Sequence, residues 1–403
     1  MKKIVPMVMS LLMLLFMFVA TAYAFFDKTT MSKSENRELQ AMPELTAKDW
    51  VEGNYQDKLD GFFSDHVLNR SKFISFAGYV EDKLRLPGKK LILKDVEVEN
   101  KGNNKTEFVF LDDRIVPLYY HNDESLLYFF NSNNALFGCI PDNINKYYCI
   151  FPGRIEFEEE SVRKLSDSGE EDAKIIYDNT SDNVTTINTY DAVRKGVEEN
   201  GLNSLYFRTD HHWTALGAYY AANEFAKAAK KQEINIADYT KIKGFDFEGF
   251  LSVKHNKMGL LKPDVLYCYT RKTTPICNEI VRYKNEDTGE LEIRNEKVID
   301  TYRYGYYTFV ERSSFAYAEI KGTGEDGCLL VLGDSYSLAF STWLTHLYKT
   351  IVIVDPRYFD VSDRSLQQLL VDYEVTDFVV GIEQSQMSVD IFNKIIVDVI
   401  IDK

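Results

Sequence analysis

The 403 residues leave room for two or three domains of ~150 residues each, or for one α/β domain with large insertions. Hydrophobic residues at 45%, charged residues at 27% and only 9 Pro and 21 Gly exclude a disordered, collagen-like or low-complexity chain. A formal charge of −15 repels a phosphate backbone and an anionic membrane surface, so no nucleic-acid partner is expected. The 26 Tyr beside 3 Trp fit a β-rich mixed domain and a sugar-contacting surface equally.

Lys2 and Lys3 precede an uncharged stretch from Ile4 to Phe26 that closes on Ala22-Tyr23-Ala24, a small-x-small cleavage pattern. The remainder is therefore expected outside the cytoplasm. The stretch is also long enough to cross a bilayer, which takes ~20 residues. Residues 1–26 thus read either as a cleaved signal peptide or as a retained anchor with its lysines inside. The membrane is then a partner only if the segment stays uncleaved. Residues 27–88 follow as a stalk and N-terminal helices, Met31–Asp65 turning from polar to amphipathic and Phe73–Leu86 continuing helically to the breaker pair Pro87-Gly88.

From 89 to 403, short apolar runs alternate with helical patterns. That is the sequence form of an α/β three-layer sandwich with a mostly parallel central sheet. Leu91–Val98 and Phe108–Val116 alternate around a turn at Lys101–Asn104, which predicts a hairpin. Tyr147–Phe151 predicts a strand closed by Pro152-Gly153. Ser204–Arg208 predicts another, leading into Thr209-Asp210-His211-His212-Trp213-Thr214 and a helix through Lys230 whose Ala215, Gly217, Ala218, Ala221 and Ala222 suit close packing. The Tyr-rich, turn-rich residues at about 234–314 read as an insertion of loops and short strands over the sheet. Cys328–Leu332 predicts a strand buried on both faces. It ends in Gly333-Asp334-Ser335-Tyr336-Ser337, followed by a helix from Leu338 to about Leu347, strand Ile351–Val354, helix Ser365–Tyr373 and strand Phe378–Val380. The cysteines at 139, 149, 268, 277 and 328 permit local bridges Cys139–Cys149 and Cys268–Cys277, or stay as reduced thiols.

Ser335 falls where a buried strand hands over to a helix. Such a position presents a hydroxyl at the carboxyl edge of the sheet beside the N–H groups of a helix start, which suit an oxyanion. A serine nucleophile needs a base, and the base an orienting carboxylate. In an extended Thr209–Trp213, Asp210 and His212 point to one side and His211 to the other, so His212 is the candidate base, Asp210 its orienter and His211 the second choice. Against this stand simpler readings. Gly333-Asp334-Ser335 can be only a helix N-cap, and Asp210-His211-His212 can be part of a cation site, although no further clustered Asp supports one and no metal is expected. His211, Trp213, Tyr336 and Gln384 are candidates for substrate or oxyanion contacts, with Trp213 more simply a wall behind the histidines.

Through these residues the chain resembles the DHHW family of exported bacterial proteins, a branch of the SGNH-hydrolase-like superfamily near the alginate O-acetyltransferases. The matching stretches are Ser34–Arg37 with Pro43, Tyr206–Ala218, Asp334-Ser335-Tyr336-Ser337 and Asp355-Pro356-Arg357-Tyr358-Phe359. In the related acetyltransferases an Asp-x-His-Trp motif and a later Ser supply the triad, roles that fall here on Asp210, His212 and Ser335. The separate Gly and Asn oxyanion donors usual in SGNH hydrolases have no clear counterpart; Gln384, after the last predicted strand, is the stand-in. The resemblance implies an O-acyltransferase without cofactor, taking an acetyl group from a membrane-bound acyltransferase and passing it to a polysaccharide acceptor. The alternatives are a carbohydrate esterase with the same triad, or a silent envelope-assembly or carbohydrate-binding protein. The silent reading would be marked by a Ser335–His212 separation beyond hydrogen-bond reach, ~3 Å.

Overall fold

The computed structural model describes residues 19, 21–32, 37–46, 50, 54–70, 72, 73, 76, 91–94, 107–255, 261–272, 278–284, 291–297, 315–359, 364–388, 396 and 397. The apolar leader up to residue 18, Ser34-Glu35-Asn36, most of the helix expected over Phe73–Leu86 with its Pro87-Gly88 stop, the turn at 101–104, Cys277 and residues 298–314 lie outside them. No helix among the described residues is long and apolar enough to cross a membrane. The chain divides into two compact units, one of Met1–Lys89 with Phe247–Pro263, the other of Lys90–Asp246 with Asp264–Lys403.

In the first unit, helix α1 (Asn54–Asp65) buries Phe62. The Phe62 ring stacks on His66 at 4.4 Å, and the Phe62 carbonyl accepts from His66 Nδ1 at 2.9 Å. These local contacts close the end of the helix.

The second unit opens with a three-stranded antiparallel sheet of β1 (Leu91–Lys94), β2 (Glu107–Phe110) and β3 (Ile115–Pro117). The predicted hairpin thus gains a third strand. Phe108–Val116 is two strands rather than one, because the chain turns at Asp112-Asp113. Then come α2 (Asp123–Cys139), β4 (Asn145–Phe151), α3 (Gly169–Asn179), β5 (Val184–Ile187), α4 (Thr189–Asn200) and α5 (Ala215–Ala228). Next are β6 (Tyr239–Phe247), β7 (Asp264–Arg271), β8 (Asn278–Lys284), β9 (Leu291–Lys297) and β10 (Phe315–Lys321). The chain continues through β11 (Cys328–Gly333), α6 (Ser335–Leu344), β12 (Thr350–Val354), α7 (Leu366–Asp372) and β13 (Asp377–Glu383).

The central sheet runs β9-β8-β10-β12-β11-β13-β4-β5. From β12 to β5 every pairing is parallel, while β10, β8 and β9 extend it antiparallel. β11 and β12 are buried along nearly all their length, as parallel strands covered on both faces must be. Alternation sorts their side chains. Tyr148, Ile150, Leu330, Leu332, Val352, Phe378 and Val380 join one core with Phe129 and Leu136 of α2, Ile176 of α3 and Leu369 of α7. On the other face Tyr147 packs on Phe225 of α5, with ring centroids 5.1 Å apart, and Phe151 on Phe340 of α6, at 5.3 Å. The result is an α/β three-layer sandwich with a mostly parallel central sheet.

Three expectations are corrected. The insertion at 234–314 does not simply lie over the sheet: β8 and β9 join it at its edge, and β6 with β7 form a separate two-stranded sheet. Cys139 and Cys149 are not bridged, because Cys139 ends α2 at the surface while Cys149 is buried within β4. The helix after β11 starts at Ser335 rather than Leu338, since the Asp334 side chain caps it by accepting the Tyr336 N–H at 3.0 Å.

β11 and β13 approach so closely at their carboxyl ends that a Cβ on Gly333 would lie 2.0 Å from the Gly381 carbonyl and 2.7 Å from Ser337 Oγ. Backbone cannot give way as a side chain can. Gly333→Ala should therefore cost about 3 kcal/mol or more, read as a lowered urea midpoint, while Gly138→Ala, which meets nothing within 4 Å, should leave the midpoint nearly unmoved.

Candidate active site

From Cys328 to Ser341 every residue is buried except Ser335. The strand, the cap and the helix are all core; one hydroxyl reaches the edge. Asp334 produces this arrangement. Its Oδ1 accepts the Tyr336 N–H and its Oδ2 the Glu383 N–H at 2.8 Å, so one carboxylate fastens the start of α6 to the end of β13. Burial pushes the Asp334 carboxyl up to about 6, against the opposing pull of Arg357. Arg357 itself is held by Asp355, with Nε 2.9 Å from Oδ1 and Nη2 2.6 Å from Oδ2.

The second half of the site comes from residues 205–214. Ser204–Arg208 is not a strand of the sheet. Leu202–Leu205 is a short helix, and the chain then doubles back, with Tyr206 bridging Trp213, the Phe207 N–H donating to the His212 carbonyl at 3.2 Å and the Thr214 N–H to the Leu205 carbonyl at 2.7 Å. The turn at its tip is held from two directions. Buried Asp264, at the head of β7, accepts the N–H groups of Arg208 (2.9 Å) and Thr209 (2.8 Å) and the Thr209 hydroxyl (2.6 Å). Buried Arg154, just after β4, donates to the carbonyls of Tyr206 (3.3 Å) and Phe207 (3.2 Å) and to Asn203 Oδ1 (2.6 Å). Glu158 fixes Arg154 at 2.6 Å and is itself gripped by Arg114 at 2.9 and 2.7 Å.

On this frame Asp210 Oδ1 lies 2.6 Å from His212 Nδ1 and accepts the His212 backbone N–H at 3.0 Å. His212 Nε2 lies 2.7 Å from Ser335 Oγ. A carboxylate only accepts, so the Nδ1 proton faces Asp210 and Nε2 is left to accept the serine hydroxyl proton. Residues separated by 123 positions meet at one edge of the sheet.

His211 does not point away. The backbone bends at 210–212 instead of extending, and its ring lies over His212 with centroids 3.8 Å apart and its side chain 38% exposed. Of the four candidates for substrate or oxyanion contact, it alone presents surface. Trp213 is fully buried between Phe151 (4.8 Å) and Tyr336 (4.9 Å), a wall residue with no free face. Tyr336 is buried too, and its hydroxyl donates to the His211 carbonyl. Gln384 is corrected from oxyanion donor to strut: its Oε1 accepts the Gly153 N–H (2.9 Å) and the Tyr190 hydroxyl (3.1 Å), and its Nε2 donates to Glu156 (2.8 Å). Asp210, His211 and His212 offer ligand atoms within 4.8 Å of one another. A cation held by all three would have to take a His212 nitrogen from Asp210 or Ser335. Asp264, Arg154 and Glu158, which hold the turn, carry no motif that a sequence reading could use.

A strand-edge serine on a helix start thus faces a buried Asp–His pair at the edge of a mostly parallel sheet in an α/β protein. The chain belongs to the DHHW family, whose model matches residues 107–354. Among solved structures it resembles a DHHW family protein from Eubacterium siraeum, 20% identical over 76% of this chain and 99% of that one, with a TM-score of 0.61. It also resembles Bacillus cereus PatB1, solved with a sulfonyl adduct (17% identical, 76% and 99% covered, TM-score 0.54) and without one (18% identical, 71% and 98% covered, TM-score 0.54). No curated protein matches the chain.

Glu383, whose N–H caps Asp334, is itself pushed up to about 8, chiefly by desolvation, with Asp334 adding to the shift and Ser385 hydrogen bonds opposing it. A carboxyl raised in the fold above its ordinary 4.5 contributes stability that is fully present below pH 4.5 and lost as the pH rises through about 8. Glu383→Gln, which cannot ionise, should therefore gain in melting temperature relative to wild type progressively from pH 5 to pH 8. A difference that stays constant with pH would show that Glu383 titrates normally.

Proposed function

We propose that the protein is an extracytoplasmic O-acyltransferase that esterifies hydroxyls of a cell-envelope or exported polysaccharide with acetyl groups, through a Ser335–His212–Asp210 triad. The observation that carries this reading is the unbroken chain from Asp210 Oδ1 through the His212 ring to Ser335 Oγ, at 2.6 and 2.7 Å. The second distance is also the one that would have been long in a silent scaffold.

The chemistry follows from the geometry. As Ser335 Oγ attacks the acyl carbonyl, its proton passes to His212 Nε2, and Asp210 stabilises the imidazolium through Nδ1. The donor's ester bond breaks, its leaving oxygen takes the proton from Nε2, and an acyl-serine remains. A sugar hydroxyl then yields its proton to Nε2, attacks the acyl-serine, and Ser335 recovers its hydrogen. We assign the oxyanion formed in each step to the Ser335 N–H, at the first position of α6, where a helix start favours negative charge. An acetyl donor partner embedded in the membrane suits a protein placed outside the cytoplasm by the Lys2-Lys3 and Ile4–Phe26 segment. With water in place of the sugar the same steps give an esterase.

Ser335→Ala should lower hydrolysis of a chromogenic acetate ester by roughly 10⁴-fold or more with an unshifted thermal melt; turnover near wild type would remove the triad. His212→Ala should match that loss while His211→Ala keeps most activity, and the opposite order would make His211 the base. The Bacillus cereus adduct supports a third expectation, that a sulfonyl fluoride adds one equivalent at Ser335, located by peptide mass. Transfer is separated from hydrolysis by whether acetate appears on an added glycan or free in solution.

A further inference from the structure

β13 ends beside the reactive serine. Its parallel register with β11 pairs Gly333 with Gly381, and carrying that register two residues on sets Glu383 level with Ser335. The Glu383 N–H, donated to Asp334 Oδ2 at 2.8 Å, keeps the two chain segments together past the last ladder pair. Alternation fixes the direction of the side chain. Phe378, Val380 and Ile382 enter the core shared with α2, α3 and α7, so Gly381 and Glu383 face the α6 side of the sheet. A Cβ on Gly381 would accordingly lie 3.6 Å from the Ser337 side chain of α6. Glu383 is thus a half-buried carboxyl on the same face, and at the same rim, as Ser335.

The two oxygens of this carboxyl are not equivalent. Oε2 accepts the Ser385 N–H at 2.9 Å and the Ser385 hydroxyl. Oε1 has no hydrogen-bond or ion-pair partner among the described residues, and it borders Gly153, where a Cβ would come within 2.9 Å of it. The ionisable groups within its electrostatic reach are Asp334 at the end of β11, Glu156 after β4, Tyr336 of α6, Tyr206 of the turn, Tyr190 of α4 and Tyr119. Each of these is an acid; no cation is among them. Desolvation first, then the carboxyls of Asp334 and Glu156 against the Ser385 hydrogen bonds, push Glu383 up to about 8. With two donors already on Oε2, the acid proton is carried by Oε1.

Resting on the acyl-transfer reading, we infer that Glu383 is a further catalytic residue: its Oε1–H donates to the acyl oxygen that becomes negative when Ser335 attacks, as a second donor beside the Ser335 N–H. A carboxylic acid kept neutral can fill this role, whereas a carboxylate in the same place would repel the oxyanion. No covalent bond forms or breaks at Glu383. The proton stays on Oε1, and its hydrogen bond strengthens as charge develops on the acyl oxygen.

The test follows hydrolysis of a chromogenic acetate ester by the full chain from pH 6 to pH 10, with the Ser335→Ala rate subtracted at each pH. Below about 8 the acid is protonated and donates; above it the donor is lost, so wild-type kcat should fall through about pH 8. Glu383→Gln carries an N–H donor at every pH, so it should stay within about 10-fold of wild type at pH 7 and show no such fall. Glu383→Ala should lose about 10²-fold in kcat at pH 7 with little change in KM, because the missing bond strengthens only in the transition state. A Glu383→Gln profile that keeps the wild-type alkaline fall, or a Glu383→Ala kcat within about threefold of wild type, overturns the assignment. Thermal melts at pH 7 read the fold of both variants, and if Glu383→Ala does not fold, the Glu383→Gln profile decides alone. Either overturning result leaves Ser335→Ala inactive and the triad standing, while turnover near wild type in Ser335→Ala removes the triad and this role with it.

Discussion

The Asp334 carboxylate is the constraint from which the rest of the site follows. With one oxygen on the Tyr336 N–H and the other on the Glu383 N–H, it joins the start of α6 to the ends of β11 and β13. Gly333 leaves room for the Gly381 carbonyl, which a Cβ there would meet at 2.0 Å, and Gly381 leaves room for the Phe151 ring. The consequence is a segment in which everything but Ser335 is core. The N-cap at Gly333-Asp334-Ser335 does not compete with an exposed hydroxyl: the cap orients the helix, and the helix start presents Ser335.

The partner of that hydroxyl is held by a different logic. The Tyr206–Trp213 turn is not a piece of regular secondary structure, and irregular backbone keeps a fixed shape in a buried place only if its polar groups find partners. Asp264 supplies acceptors for the N–H groups of Arg208 and Thr209, and Arg154 supplies donors for the carbonyls of Tyr206 and Phe207. Arg154 would be a costly buried charge alone; Glu158 compensates it and is anchored in turn by Arg114. The Trp213, Phe151, Tyr336 cluster closes the rear of the histidine pair with apolar surface. A site assembled this way tolerates little displacement, because each support touches backbone.

Much of the α/β core was legible from residues. β4, β11 and β12 appear in the sequence as uninterrupted apolar runs bounded by Gly, Pro or Asp, and that pattern has few other physical solutions. The helix after Trp213 was legible from its small residues, and the helix before β13 from Ser365, whose side chain caps it with Gln368 in a reciprocal pair. Ser204–Arg208 misled because Leu205-Tyr206-Phe207 is a short apolar run, yet the Arg154 bonds to the Tyr206 and Phe207 carbonyls hold it outside any ladder. The antiparallel edge of β8, β9 and β10 lacks the apolar continuity that marks a central strand, being exposed on part of its surface.

Local sequence alone was enough to single out Ser335, His212 and Asp210 as candidates, since a hydroxyl after a buried strand and an acid two residues before a histidine are recognisable without coordinates; that they meet was decided by the fold. The fate of their neighbours was decided by the tertiary structure. Gln384, Trp213 and Tyr336 are chemically able to touch a ligand, but burial and internal hydrogen bonds remove them. His211 keeps its exposure because the backbone bends where an extended strand was expected. Residue type sets what a group can do, and only the packing of distant segments sets which groups remain accessible to do it.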